Sequence, residues 1–122
     1  MNQQTVTKTE ALKEVIVKGI QEIKGQKITI LDLRNIENAS TSFFIICEAT
    51  SNTQVNAIVG SVEKMCFELL DEKPWHIEGA REAEWVLMDF VNLVVHVFQK
   101  EVREHYKLEE LWGDAIFETI DD

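Results

Sequence analysis

Two aspartates lie in apolar runs that read as strands, Asp32 within Lys27 to Leu33 and Asp89 within Trp85 to Phe90. Carboxylates on strands can converge on a divalent cation of the kind that supports phosphoryl transfer, which would make the chain a divergent metal-dependent nucleotidyltransferase. The usual companions of that chemistry are missing. The five glycines are scattered at 19, 25, 60, 79 and 113, so no glycine-rich loop cradles phosphates, and neither His-x-x-x-His nor Gly-x-Ser-x-Gly occurs. His76, His96 and His105 fall in a short strand, a longer strand and a terminal helix with no shared local spacing, which suits structural histidines better than a ligand set. Ser51 stands at a helix start, where an anion can bind, but capping alone accounts for it. Cys47 in an apolar strand and Cys66 on an apolar helix face read as buried thiols, because there is no third cysteine and no Cys-x-x-Cys spacing. No catalytic centre, metal site or cofactor is expected.

The elements that must position these residues are organised around a hairpin. Trp85-Val86-Leu87-Met88-Asp89-Phe90 and Leu93-Val94-Val95-His96-Val97-Phe98 are rich in β-branched and aromatic residues and are joined by Val91-Asn92. Strand alternation puts Trp85, Leu87 and Asp89 on one face and Val86, Met88 and Phe90 on the other. Neither face is polar throughout. Helices therefore cover both, or one face is covered and the other is offered to a partner, and the sequence leaves both arrangements open.

Ahead of the hairpin, a helix from Thr7, with the capping-box spacing Thr7-Lys8-Thr9-Glu10, runs to Gly25 with Leu12, Val15, Ile16, Ile20 and Ile23 on one stripe. Strands follow at Lys27 to Leu33 and Phe43 to Cys47. A second helix begins at the box Ser51-Asn52-Thr53-Gln54 and is ended by Lys73-Pro74. Trp75 to Glu78 makes a short strand. Lys100 to Tyr106 and Leu108 to Trp112 read as short helical pieces, and 114–122 as an acidic, mostly untied tail whose Ile116, Phe117 and Ile120 are able to pack on a neighbour. This order predicts an α/β fold with a mixed five-stranded sheet and helices packed on it, the strand-helix-strand segment 43–78 supplying a parallel pair.

A chain of 122 residues has the length of one domain, here 1–122, and its 45% hydrophobic and 28% charged content is globular. Its apolar runs fall far short of the ~20 residues that cross a bilayer. The first residues, Met1-Asn2-Gln3-Gln4-Thr5, lack the basic and apolar segments of a secretory signal, so a cytoplasmic protein with no membrane partner is expected. The net charge of −10 is unevenly spread: 1–61 hold six basic and six acidic residues, 62–122 six and sixteen. Nucleic-acid binders show the opposite sign, so direct RNA or DNA recognition is disfavoured. A negative surface beside an apolar hairpin suits a basic protein partner, with solubility as the alternative role for the charge.

Several blocks carry a resemblance. Cys47 to Val55, Glu78-Gly79, Glu84 to Asp89, Val95 to Phe98, and above all Arg103 to Ala115, with Tyr106, Leu108, Glu109, Leu111 and Trp112 in their spacing, resemble the ribosomal silencing factor or Iojap-like family over about Ala11 to Ala115. The resemblance implies a fold similar to the nucleotidyltransferase core without its catalytic residues. It also implies a non-enzymatic translation regulator that binds the large ribosomal subunit through its fourteenth protein and blocks joining of the small subunit under nutrient limitation. Matched by position, the partner-binding surface would include Trp85 and Phe90 with acidic neighbours; with the flanking positions, the candidate set is Glu82, Glu84, Trp85, Met88, Asp89, Phe90 and Asn92. The chain departs from the family pattern at Val91-Asn92, where Gly-Asp is usual, at Ser42, where Asp is frequent, and at Ala49, which replaces a common Gly. A homodimer formed through the hairpin surface is a further possibility.

Overall fold

The computed structural model describes residues 3–121, with side chains from Lys8 onward. The chain runs α1 (Gln3–Glu22), β1 (Gln26–Asp32), β2 (Phe43–Ala49), α2 (Asn52–Leu70), β3 (His76–Glu78), β4 (Trp85–Asp89), β5 (Leu93–Gln99), α3 (Lys100–Tyr106), α4 (Leu108–Leu111) and β6 (Ile116–Thr119). Six strands form one sheet in the order β3-β4-β5-β2-β1-β6.

Three expectations are corrected. The sheet has six strands, because 116–119 is no loose tail but an edge strand antiparallel to β1, with Leu31 opposite Phe117 and Asp32 opposite Ile116. The parallel pair is β2 with β5, in register from Phe43 opposite Leu93 to Ala49 opposite Gln99. The strand after α2 instead lies at the far edge and, among the described residues, pairs only with β4. Lastly, α1 begins at Gln3, so the backbone at Thr7 is already helical and is not a cap; the Thr7 side chain lies outside the described residues.

The two long helices pack on the same face of the sheet. Ile16 and Ile20 of α1 and Val55, Ile58 and Val62 of α2 close over Ile28, Ile45, Val86, Met88 and Val95, all fully buried. Their close approach depends on Gly19, where a Cβ would come within 3.1 Å of the Val62 backbone, and Ser61 Oγ donates to the Gly19 carbonyl at 2.8 Å. Ser51 caps α2 as expected, its Oγ accepting from the Gln54 N–H at 3.1 Å. Gln54 reaches back to the Thr50 N–H at 2.9 Å and, through Nε2, donates to the Ile23 carbonyl at 3.1 Å, so the start of α2 also ties down the end of α1. The helix stops at Asp71 in a left-handed conformation, before Pro74.

The second face carries a smaller core, built from Leu31, Leu33, Ile46 and Phe98 under Leu108, with Phe44, Trp85, Val102 and Trp112 at its margin. Among the described residues the short α3 and α4 cover it at the β1–β2–β5 side, together with Ile36 and Ala39 of the β1–β2 loop and Ala115. Arg103 of α3 fastens them: it donates to the Lys27 carbonyl at 2.8 Å and pairs with Glu48 of β2 at 3.3 Å and Glu109 of α4 at 2.9 Å. No helix of the described residues is long and apolar enough to cross a membrane.

Candidate interaction face

The hairpin forms as the alternation requires, with Trp85 opposite Phe98 and Asp89 opposite Val94. Along β4 the exposure alternates strictly. Trp85, Leu87 and Asp89 are half-buried on the second face, while Val86 and Met88 are sealed beneath the helices. Met88, fully buried, and Phe90, 8% exposed, belong to the helix-covered core and lie on the face opposite Trp85. The opposed facing of Trp85 and Phe90 means that one contact cannot use both.

The remaining candidates frame the open part of the second face. Glu82 and Glu84 are exposed in the loop that enters β4. That loop is held by Gln99, whose N–H donates to the Glu84 carbonyl at 2.8 Å and whose Nε2 donates to the Ala83 carbonyl at 3.1 Å. It turns at Gly79, where φ is +88° and a Cβ would collide with the Trp85 carbonyl oxygen. Asp89 stands at the other end of the strand, four residues or roughly 13 Å away. Its Oδ1 accepts the Val91 N–H at 2.7 Å, and Val91 takes a φ of +76°, the conformation for which glycine is the natural residue. Asn92 serves the fold through its backbone, its carbonyl accepting from the N–H groups of Ser42 and Phe43 at 3.1 and 3.3 Å.

Trp85 is the largest side chain that β4 presents on this face, and its indole is held on three sides. Phe98 stacks with it at 4.8 Å between ring centroids, Tyr106 of α3 lies at 5.1 Å, and the indole N–H donates to His96 Nδ1 at 3.0 Å. Burial pushes His96 down to about 4, so its ring is neutral at pH 7. Strand alternation already put His96 and Phe98 on the Trp85 face, a signal the sequence carried but whose meaning required the geometry. Tyr106 comes from another element and left no such signal.

Asp32 and Asp89 do not come together. Asp32 points to the helix-covered side, where Lys13 contributes to lowering its pKa after its principal partner Arg34, which it holds at 2.7 and 2.9 Å. Asp89 points to the other face, and β2 and β5 stand between the two strands. Three strand spacings put them ~14 Å apart, whereas two carboxylates sharing one ion lie within about 5 Å. The two cysteines are free and buried, and burial raises both thiols to about 12.

A family model described as ribosomal silencing factor during starvation matches residues 6–122. The chain belongs to the ribosomal silencing factor family. It is 37% identical to the ribosomal silencing factor of Halalkalibacterium halodurans over 106 residues, 87% of this chain and 89% of that one. A mouse protein named for mitochondrial assembly of the ribosomal large subunit is 36% identical over 101 residues, 81% of this chain but 44% of that longer protein. In three dimensions the chain matches a crystal structure of a Chromobacterium violaceum protein with a TM-score of 0.80 at 32% identity, covering 85% of each.

Proposed function

We propose that this family member is a cytoplasmic, non-enzymatic translation repressor. It binds the large ribosomal subunit through the subunit's fourteenth protein and blocks joining of the small subunit when nutrients are scarce. Membership of a family described as silencing ribosomes during starvation carries this reading, and the mouse relative is itself named for the large subunit. The mechanism is steric. An interface of standard size takes about 800 Å² from each partner, roughly a tenth of this chain's 7381 Å² surface, so one small domain can occupy a docking site without catalysis. The open second face is the contact, with Trp85 as its anchor, Leu87 and Asp89 beside it, and Glu82 and Glu84 steering a basic partner.

The sheet with its two helices is taken as a nucleotidyltransferase-like core, 1–122 being one domain, that has kept the scaffold and not the chemistry. Asp32 and Asp89 on opposite faces speak against a shared ion there. Magnesium with a nucleoside triphosphate should leave the melting temperature unchanged, since a ligand that binds only the folded state must raise it. The deciding experiment is co-sedimentation with separated ribosomal subunits. Pelleting with the large subunit alone is expected, and Trp85→Ala should weaken it about 30- to 1,000-fold while the protein stays folded. Pelleting with neither subunit overturns the proposal.

A further inference from the structure

His96 is an expensive choice for its position. The residue is 3% exposed, and its neighbours on the second face are aromatic: Phe44 edge-on at 4.5 Å, Trp85 and Phe98. An indole nitrogen only donates, so the Trp85 bond fixes Nδ1 as the acceptor and puts the imidazole proton on Nε2. That Nε2 is buried and has no hydrogen-bond partner among the described residues. A phenylalanine would fill the same aromatic pocket and remove the unmet Nε2–H but leave the half-buried Trp85 indole N–H without its acceptor, so what the histidine adds over phenylalanine here is its bond to Trp85. Among the described residues, the one hydrogen bond the ring makes is to Trp85.

The ring contacts of Trp85 with Phe98, Tyr106 and His96 set the plane of the indole. The hydrogen bond aims its N–H edge at His96. With the N–H spent inside the protein, the carbon edge faces away from His96. We propose that His96 is a positioning residue that orients Trp85 for its partner, and that the Trp85 contact accepts an apolar side chain or the aliphatic stem of a basic one, not a hydrogen-bond acceptor. This inference rests on Trp85 being the anchor proposed above. Neutrality of the ring, imposed by burial, keeps Nδ1 available as the acceptor.

The test uses the full chain with His96→Phe, which removes the acceptor, and His96→Gln, which can restore one, alongside Trp85→Ala. Large-subunit affinity is measured by sedimentation, melting by calorimetry, and the Trp85 indole by its ¹H–¹⁵N resonance and exchange rate. For His96→Phe the expected result is an unchanged or raised melting temperature, a shifted and faster-exchanging indole signal, and about 3- to 10-fold weaker binding, the worth of one hydrogen bond. His96→Gln should recover part of the affinity. Unchanged affinity in His96→Phe, where Trp85→Ala abolishes binding, overturns the positioning role and leaves the anchor standing. Normal binding by Trp85→Ala overturns both. A large fall in melting temperature for both His96 variants also overturns the inference, because the histidine is then structural.

Discussion

Arg103 gives the sharpest test of how the second face is assembled. Its side chain is 11% exposed and that of Glu48 5%, so their 3.3 Å pair is shielded from water on both sides. The same guanidinium holds Glu109 at 2.9 Å, the Lys27 carbonyl at 2.8 Å and Thr29 Oγ1 at 3.3 Å, joining α3, α4, β1 and β2. Arg103→Met keeps most of the stem and removes the whole fork. The partner left behind decides the magnitude: a buried carboxylate stripped of its cation costs about 3–5 kcal/mol, whereas the more exposed Glu109 adds little. For a chain of this length that is about 10–16 °C in melting temperature. Urea unfolding followed by far-UV circular dichroism would read it directly. The double variant Arg103→Met with Glu48→Gln removes the stranded charge and should recover more than half the loss. A loss below about 1 kcal/mol in the single variant, or a double variant as unstable as the single, would refute the idea that the charge network fastens the terminal helices.

At the hairpin turn, Val91→Gly should stabilise the protein by about 0.5–1 kcal/mol, because relief of a β-branched residue at φ +76° exceeds the added freedom of the unfolded glycine; a lower urea midpoint would contradict this. His96 carries a pH signature. Its pKa falls from 6.5 to about 4 on folding, so the unfolded chain binds the proton more tightly, and up to about 3 kcal/mol of stability present above pH 6.5 is lost as the pH falls towards 4. His96→Phe should flatten that part of the stability profile measured between pH 7 and 4.5. Glu82→Lys with Glu84→Lys should slow capture of the large subunit and flatten its salt dependence, since exposed charges are screened beyond ~8 Å at physiological salt; an unchanged association rate in stopped-flow mixing excludes steering.

Much of the local structure could be read from the sequence because its causes are local. The alternation Trp85-Val86-Leu87-Met88-Asp89 placed each residue on its correct face, and Ser51 with Gln54 marked the start of α2. The family blocks, from Cys47 to Ala115, pointed to the family that the comparison with its model assigns. Which face of the hairpin stays open was not legible. Both faces are apolar, and the choice depends on α1 and α2 packing side by side through Gly19, a contact between residues more than forty positions apart.

The same limit explains β6 and the parallel pair. Ile116-Phe117-Glu118-Thr119 is short and exposed throughout, and it is a strand only because the edge of β1 supplies its hydrogen-bond partners. The pairing of β2 with β5 joins segments fifty residues apart, with no periodicity to announce it. Trp85 shows the division most plainly. Its type and strand position are fixed by the sequence and alternation. Its orientation depends on Phe98, His96 and Tyr106, which only the closed hairpin and the docked α3 bring to one place. Short-range patterns encode which side chains share a face; what covers that face is a property of the whole packed chain, because it depends on contacts that exist only once distant elements have met.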